Sequence, residues 1–156
     1  MTRFLRWTPL VGSVILGAGL LAATPAFAAQ LSPGQTVTME ATAYGPSVQD
    51  NYPYGATDYF GQPLTQGDVA VDPNVIPLRT CLYITGYNSA NLPVGGFIGE
   101  ADDEGDAIQG DHIDIFMNAP EAEVNNFGIQ YVRVTVLGPA SSNTSLSGTA
   151  ACRAYE

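Results

Sequence analysis

The sequence predicts a mainly β domain, a small barrel or sandwich of about six short strands with one short helix. Three observations predict it. Apolar residues alternate strictly with polar ones from Thr36 to Tyr44 and again from Val132 to Val136, and period two is the mark of a half-buried strand. Between these segments lie short apolar runs bounded by Gly, Pro, Asn or Asp, as strand ends usually are. Only one stretch carries the start and stop signals of a helix.

Residues 1–28 stand apart from the fold. Arg3 and Arg6 precede an uncharged, mostly apolar stretch from Trp7 to Ala23, and Ala26-Phe27-Ala28 places small residues where a signal peptidase reads. A cleaved signal peptide is therefore expected, with a secreted or cell-envelope product. A retained anchor is the alternative, because the run approaches the shorter bilayer spans. No positive stop-transfer cluster follows it, and no Cys marks a lipoprotein site.

The remainder divides into a domain over residues 29–138 and a Ser/Thr/Ala-rich tail over residues 139–156. The first strand is Thr36 to Tyr44, with Val37, Met39, Ala41 and Ala43 on one face. Gly45 to Gln66 is rich in Gly, Pro, Asn and Tyr without periodicity, and reads as a long loop of the kind that more often carries function than not. Further strands are expected at Val69 to Val71, Cys81 to Ile84, Gly96 to Ile98 and Ile113 to Met117. The helix follows, with Asn118 as cap, Pro120 in the first turn, Glu121 and Glu123 at the positive end and Gly128 as the stop. Val132, Val134 and Val136 close the domain. Cys81 and Cys152 are the two cysteines, and in an oxidising compartment they are expected to pair and pin the tail. Closing a loop of about seventy residues stabilises by roughly 4 kcal/mol on the chain-entropy argument. A disordered tail with two free thiols is the alternative.

Charge narrows the function. Fifteen acids face five arginines and no lysine, and two of those arginines lie in residues 1–28. Such a surface repels phosphate backbones and anionic lipid, so neither nucleic acid nor stable membrane insertion is expected, and a monomer is. The acidity itself fits solubility or tolerance of an acidic medium.

Chemistry is left to carboxylates. His112 is the only histidine and no Gly-x-Ser-x-Gly elbow is present, so neither a nucleophilic triad nor a zinc site is expected. Asp102, Glu104 and Asp106 alternate as calcium ligands would, but Ala107 and Ile113 stand where an EF-hand loop needs its glycine and its bidentate acid. No metal or other cofactor is expected. Residues 99–116 hold seven of the fifteen acids and end with Asp114 between Ile113 and Ile115. Strand phase puts Asp114 on the face of His112 and Phe116. Partial burial there raises a carboxyl pKa and suits a general acid, while a strand-edge Asp bonded to a turn is the plainer reading. Asp72, ahead of Pro73, reads by itself as a turn initiator.

Taken together, the runs Ala41–Tyr44, Gly67–Pro73, Val75–Leu78, Leu82–Ile84, Gly105–Gly110 and Ile113–Phe116 resemble the 3D domain, a family named for three aspartates. The resemblance extends from about Thr38 to Leu137. It implies a six-stranded double-psi β-barrel, similar to the catalytic barrel of membrane-bound lytic transglycosylase A and more distantly to expansins. It also implies cleavage of the β-1,4 bond between N-acetylmuramic acid and N-acetylglucosamine in peptidoglycan strands. By motif, the three aspartates are Asp72, Asp103 and Asp114, with Asp114 as general acid/base, and Thr42 and Tyr44 line the same groove. Tyr52, Tyr54 and Tyr59 are candidates to stack on sugar faces or to pack the loop.

This chain departs from the family where Asp103-Glu104-Gly105-Asp106-Ala107-Ile108-Gln109-Gly110 replaces Asp-Thr-Gly-Gly-Ala-Ile-Lys-Gly, and where Arg79 replaces a small residue. Extra negative charge would raise Asp114 further and repel the carboxylates of peptide stems. Asp102, Glu104, Asp106 and Asp111 are expected to form a solvated rim. The expected activity is that of a secreted lytic transglycosylase or glycosidase. The rivals are a non-catalytic, expansin-like wall-binding module and an acidic structural domain.

Overall fold

A computed structural model describes residues 29–156; the expected signal peptide lies outside them. The strands are β1 (Thr36–Tyr44), β2 (Asp68–Val71), β3 (Thr80–Thr85), β4 (Phe97–Asp103), β5 (His112–Phe116) and β6 (Gln130–Pro139). They close into a barrel in the order β1-β5-β2-β4-β3-β6. β1 pairs parallel with β5, and β2 with β4, while the remaining contacts are antiparallel. The fold is thus a mainly β, closed six-stranded barrel of the double-psi kind, as the resemblance implies.

Alternation decides which face is which. Met39 and Ala41 of β1, Val69 and Val71 of β2, Ile113 and Ile115 of β5 and Val132, Val134 and Val136 of β6 fill the interior with Leu82, Ile84, Phe97 and Ala101. The opposite phase of β1, β2 and β5 sets Tyr44, Ala70 and Phe116 outside, in a separate apolar cluster with Ile108. This second cluster lies on the outer face of the barrel, where Leu64 packs against it.

Three elements differ from expectation. β4 runs on through Glu100 and Asp102 to Asp103, where a strand ending at Ile98 and a solvated acidic loop were expected. Asp102 is wholly buried, so it does not belong to the rim; Glu104, Asp106 and Asp111 are exposed as expected. The helix, α1 (Glu121–Asn125), has Pro120 rather than Asn118 at its N-cap and no side-chain cap. It is held instead by Val124, which is buried in the barrel cluster. The tail, where no helix was expected, forms a short helix, α2 (Gly148–Ala151), and a 3-10 turn (Arg153–Tyr155).

That tail is packed on the barrel. Cys81 and Cys152 form a disulfide with their Cα atoms 5.6 Å apart, across a separation of 71 residues. The Gly148 N–H donates to Asp102 Oδ2 at 3.0 Å, Thr149 Oγ1 to the Ile98 carbonyl at 2.9 Å, and the Ser141 N–H to the Ala151 carbonyl at 2.8 Å. Arg79 adopts a φ of 64°, a backbone region costly for a side-chain-bearing residue, which explains the small residue expected there. Its guanidinium donates to the carbonyls of Ser141 and Leu146, pairs with Glu100 at 2.8 Å and lies over the Phe60 ring. These contacts offset the backbone cost.

Candidate active site

Strand register builds the site. Thr42 of β1 is the partner of Asp114 of β5, Asp114 is the partner of Ala70 of β2, and Ala70 is the partner of Asp103 of β4. Four neighbouring strands therefore carry Thr42, Asp114, Ala70 and Asp103 in one row across the outer face. Ala70 keeps the middle of the row low, since a larger side chain there would fill the space between the two carboxylates. Strand spacing puts the backbones of Asp114 and Asp103 roughly 10 Å apart.

Asp114 is half-buried and accepts a 2.8 Å hydrogen bond from Thr42 Oγ1 on Oδ1. Its Oδ2 has no hydrogen-bond partner among the described residues. Burial pushes its pKa up to about 6; Thr42 and His112 lower it, and Asp50 and Asp103 raise it. Asp50 and Asp103 are the acids that raise it most. At a pKa near 6 the carboxyl exchanges its proton close to neutrality, which is the working condition of a general acid/base.

Asp103 accepts from Tyr44 Oη at 2.9 Å and from the Glu104 N–H at 2.9 Å. Burial raises its pKa against those two bonds. Burial, then the Asp103 charge, holds the Tyr44 hydroxyl well above its ordinary value, so it remains a donor. The Tyr44 ring meets Phe116 edge-on at 5.5 Å, which holds that hydroxyl toward Asp103.

Asp72 is drawn into the scaffold instead. Its Oδ1 accepts from the backbone and side-chain nitrogens of Asn74, and its Oδ2 from the Gly110 N–H at 2.8 Å. Those bonds, that from Gly110 foremost, lower its pKa. Asp72 thus ties the 104–111 loop to the end of β2, and that loop carries Ile108 into the outer apolar cluster and leads into β5.

The 45–66 loop reaches the outer cluster through Leu64, which packs against it. Internal aspartate turns order it: Asp50 accepts from the Gly45 N–H, and Asp58 from the Phe60 and Gln62 N–H groups. Tyr52, Tyr54 and Tyr59 are 80%, 88% and 55% exposed, so packing the loop is not their main role. Among the described residues, no three His, Cys, Asp or Glu side chains are grouped to hold a metal ion.

Sequence reasoning missed a buried acidic group under the tail. Asp68, Glu100 and Asp102 are all fully buried, and Arg79 pairs with Glu100. Burial raises all three pKa values, that of Glu100 to about 7. The signal that could have located them is their two-residue spacing at 100 and 102 beside the apolar Ile98.

A closed double-psi barrel with a row of carboxylates on its outer face defines the class of this protein. Residues 68–138 match the 3D domain. The match is narrower than the expected span from Thr38: it excludes β1, which the barrel nevertheless brings beside β5 with Thr42 and Tyr44. The cell wall-binding protein YocH of Bacillus subtilis (strain 168) is 41% identical over 69 residues, covering 44% of this chain and 21% of YocH. Among solved structures, Escherichia coli MltA with bound chitohexaose is 28% identical at a TM-score of 0.46, covering 53% of this chain and 27% of MltA. The lytic transglycosylase LtgG of Burkholderia pseudomallei is 32% identical at a TM-score of 0.43, covering 55% of this chain and 27% of LtgG. The chain spans between a fifth and a third of the length of these relatives.

Proposed function

We propose that this protein is an extracytoplasmic peptidoglycan-cleaving enzyme, a lytic transglycosylase or closely related glycosidase acting on the bond between N-acetylmuramic acid and N-acetylglucosamine. The observation that carries the reading is Asp114: half-buried, raised to about 6, bonded through one oxygen to Thr42 and open at the other. The match of residues 68–138 to the 3D domain supports it, and the name of YocH supports a cell-wall setting for either reading. The disulfide suits an oxidising compartment outside the cytoplasm.

In this reading protonated Asp114 gives its proton to the bridging oxygen as the bond to C1 breaks through an oxocarbenium-like state. The resulting carboxylate then takes the proton of the muramic 6-hydroxyl as O6 closes on C1, which restores the acid. One carboxyl serves both steps, so the distance to Asp103 is no obstacle. Asp103, held by Tyr44, and Thr42 contact sugar hydroxyls, and Asp72 keeps the loop wall in place. Tyr52, Tyr54 and Tyr59 offer exposed rings for further sugars.

The name of YocH favours a second reading, a non-catalytic module that docks on wall glycan through the same groove. Digestion of purified peptidoglycan by wild type and Asp114→Asn, with mass spectrometry of the ends, separates the two. Anhydro-muramic ends from wild type alone support transglycosylation, and reducing ends support hydrolysis. No release at any pH from 4 to 8, with sacculus binding retained, sinks the enzyme in favour of the module.

A further inference from the structure

The Thr42 hydroxyl has one proton and serves two neighbours. It donates to Asp114 Oδ1 at 2.8 Å and lies 3.0 Å from His112 Nε2. With that proton committed to Asp114, the histidine must supply the hydrogen of the second bond, so Nε2 carries an N–H. The three residues form a directed chain from His112 through Thr42 to Asp114. Register fixes it: Glu40 pairs with His112 and Thr42 with Asp114 on adjacent parallel strands, so the threonine faces both side chains.

We propose that His112 is a positioning residue for the Asp114 chemistry, acting through Thr42: it commits the Thr42 proton to Oδ1 and leaves Oδ2 as the oxygen that meets the substrate. This rests on the reading of Asp114 as acid/base. A histidine merely filling space would not need a nitrogen on the one hydroxyl that bonds Asp114. The chain also links charge to charge, because His112 lowers the Asp114 pKa while Asp50 and Asp103 raise it. Glu40 across from His112 on β1, Tyr44 further along β1, Asp111 beside His112 and Asp72 at the end of β2 complete the titratable surroundings.

Two substitutions separate orientation from bulk. His112→Phe keeps an aromatic side chain but removes the N–H, and is expected to lower kcat about tenfold, less than loss of a general acid itself, with KM unchanged. His112→Gln retains an N–H donor and is expected to restore most of that loss. A Gln variant as slow as the Phe variant, or a Phe variant as fast as wild type, overturns the proposal.

A second measurement does not depend on cleavage. The Asp114 carboxyl, followed by carbon NMR against pH, is expected to titrate at higher pH in His112→Phe and in Thr42→Val than in wild type. Unchanged midpoints in both variants overturn the proposal even if glycan is cut. Raised midpoints in a protein that releases no glycan leave the His112 chain standing and remove the enzymatic reading alone.

Discussion

Gly148, the first residue of the tail helix, donates its backbone N–H to Asp102 Oδ2, a carboxyl with no exposure to solvent. The tail thus covers a group that, left open, would ionise in water. Gly148 itself has a φ of 55°, and a Cβ there would stand 2.5 Å from Asp68 Oδ1. Only glycine allows so close an approach to the acids.

The first prediction concerns pH and stability. Asp68, Glu100 and Asp102 have folded pKa values above their ordinary ones, so the folded state binds protons more tightly than the unfolded chain. Their contribution is fully present below the ordinary carboxylate range and is lost as pH rises through the folded values, through about 7 for Glu100. Thermal unfolding should therefore give a Tm that falls from pH 4 to pH 8. Glu100→Gln should flatten that slope, by up to about 3 kcal/mol in stability between the two ends. A Tm that rises over the same range sinks the idea.

Reduction of the disulfide should be costly without being fatal to the barrel. The double variant Cys81→Ser, Cys152→Ser is expected to lose about 2–5 kcal/mol in urea unfolding. The tail should then become sensitive to limited proteolysis while the barrel stays resistant. A tail equally protected in the variant would mean that Arg79 and Asp102 suffice to hold it.

On the proposed reading, Asp114 governs activity. Its acid form is depleted as pH rises through about 6, so glycan release should decline tenfold per pH unit above that point. Asp114→Asn should cost about 10²–10⁴ in kcat at the optimum with the Tm little changed. An activity that increases steadily up to pH 8 would exclude Asp114 as the proton donor.

Asp72→Ala tests the scaffold role. It leaves the Gly110 N–H and the Asn74 groups without their acceptor, at a cost of about 1–2 kcal/mol. Faster amide exchange is expected in residues 104–111, with reduced kcat and an unmoved pH inflection. An inflection shifted by a full unit would instead make Asp72 a direct electrostatic partner of Asp114.

Where alternation was clean, the elements were legible. β1 has the same ends in pattern and in structure, and the side of β5 on which Asp114 stands followed from its phase. β4 was not legible, because its acidic half is buried beneath a segment 46 residues further along, from Gly148. A strand whose carboxylates face a tail helix and an arginine looks, in composition, like a solvated loop. The same long-range dependence hid α2, whose Ser, Thr and Ala residues have no pattern of their own. Thr42 and Tyr44 were placed by motif alone, and pairing between strand residues 72 apart put Thr42 against Asp114. Asp72 illustrates the opposite case: the turn initiator read from Asp72-Pro73 matches its bonds to Asn74, and the added bond to Gly110 was invisible without the fold.

In the row Thr42, Asp114, Ala70, Asp103, no two neighbours come from strands consecutive along the chain. No hairpin contains two of them, so the row assembles only when the barrel closes. On the proposed reading, chemistry at this surface waits for that closure, and an unfolded copy is inert by geometry.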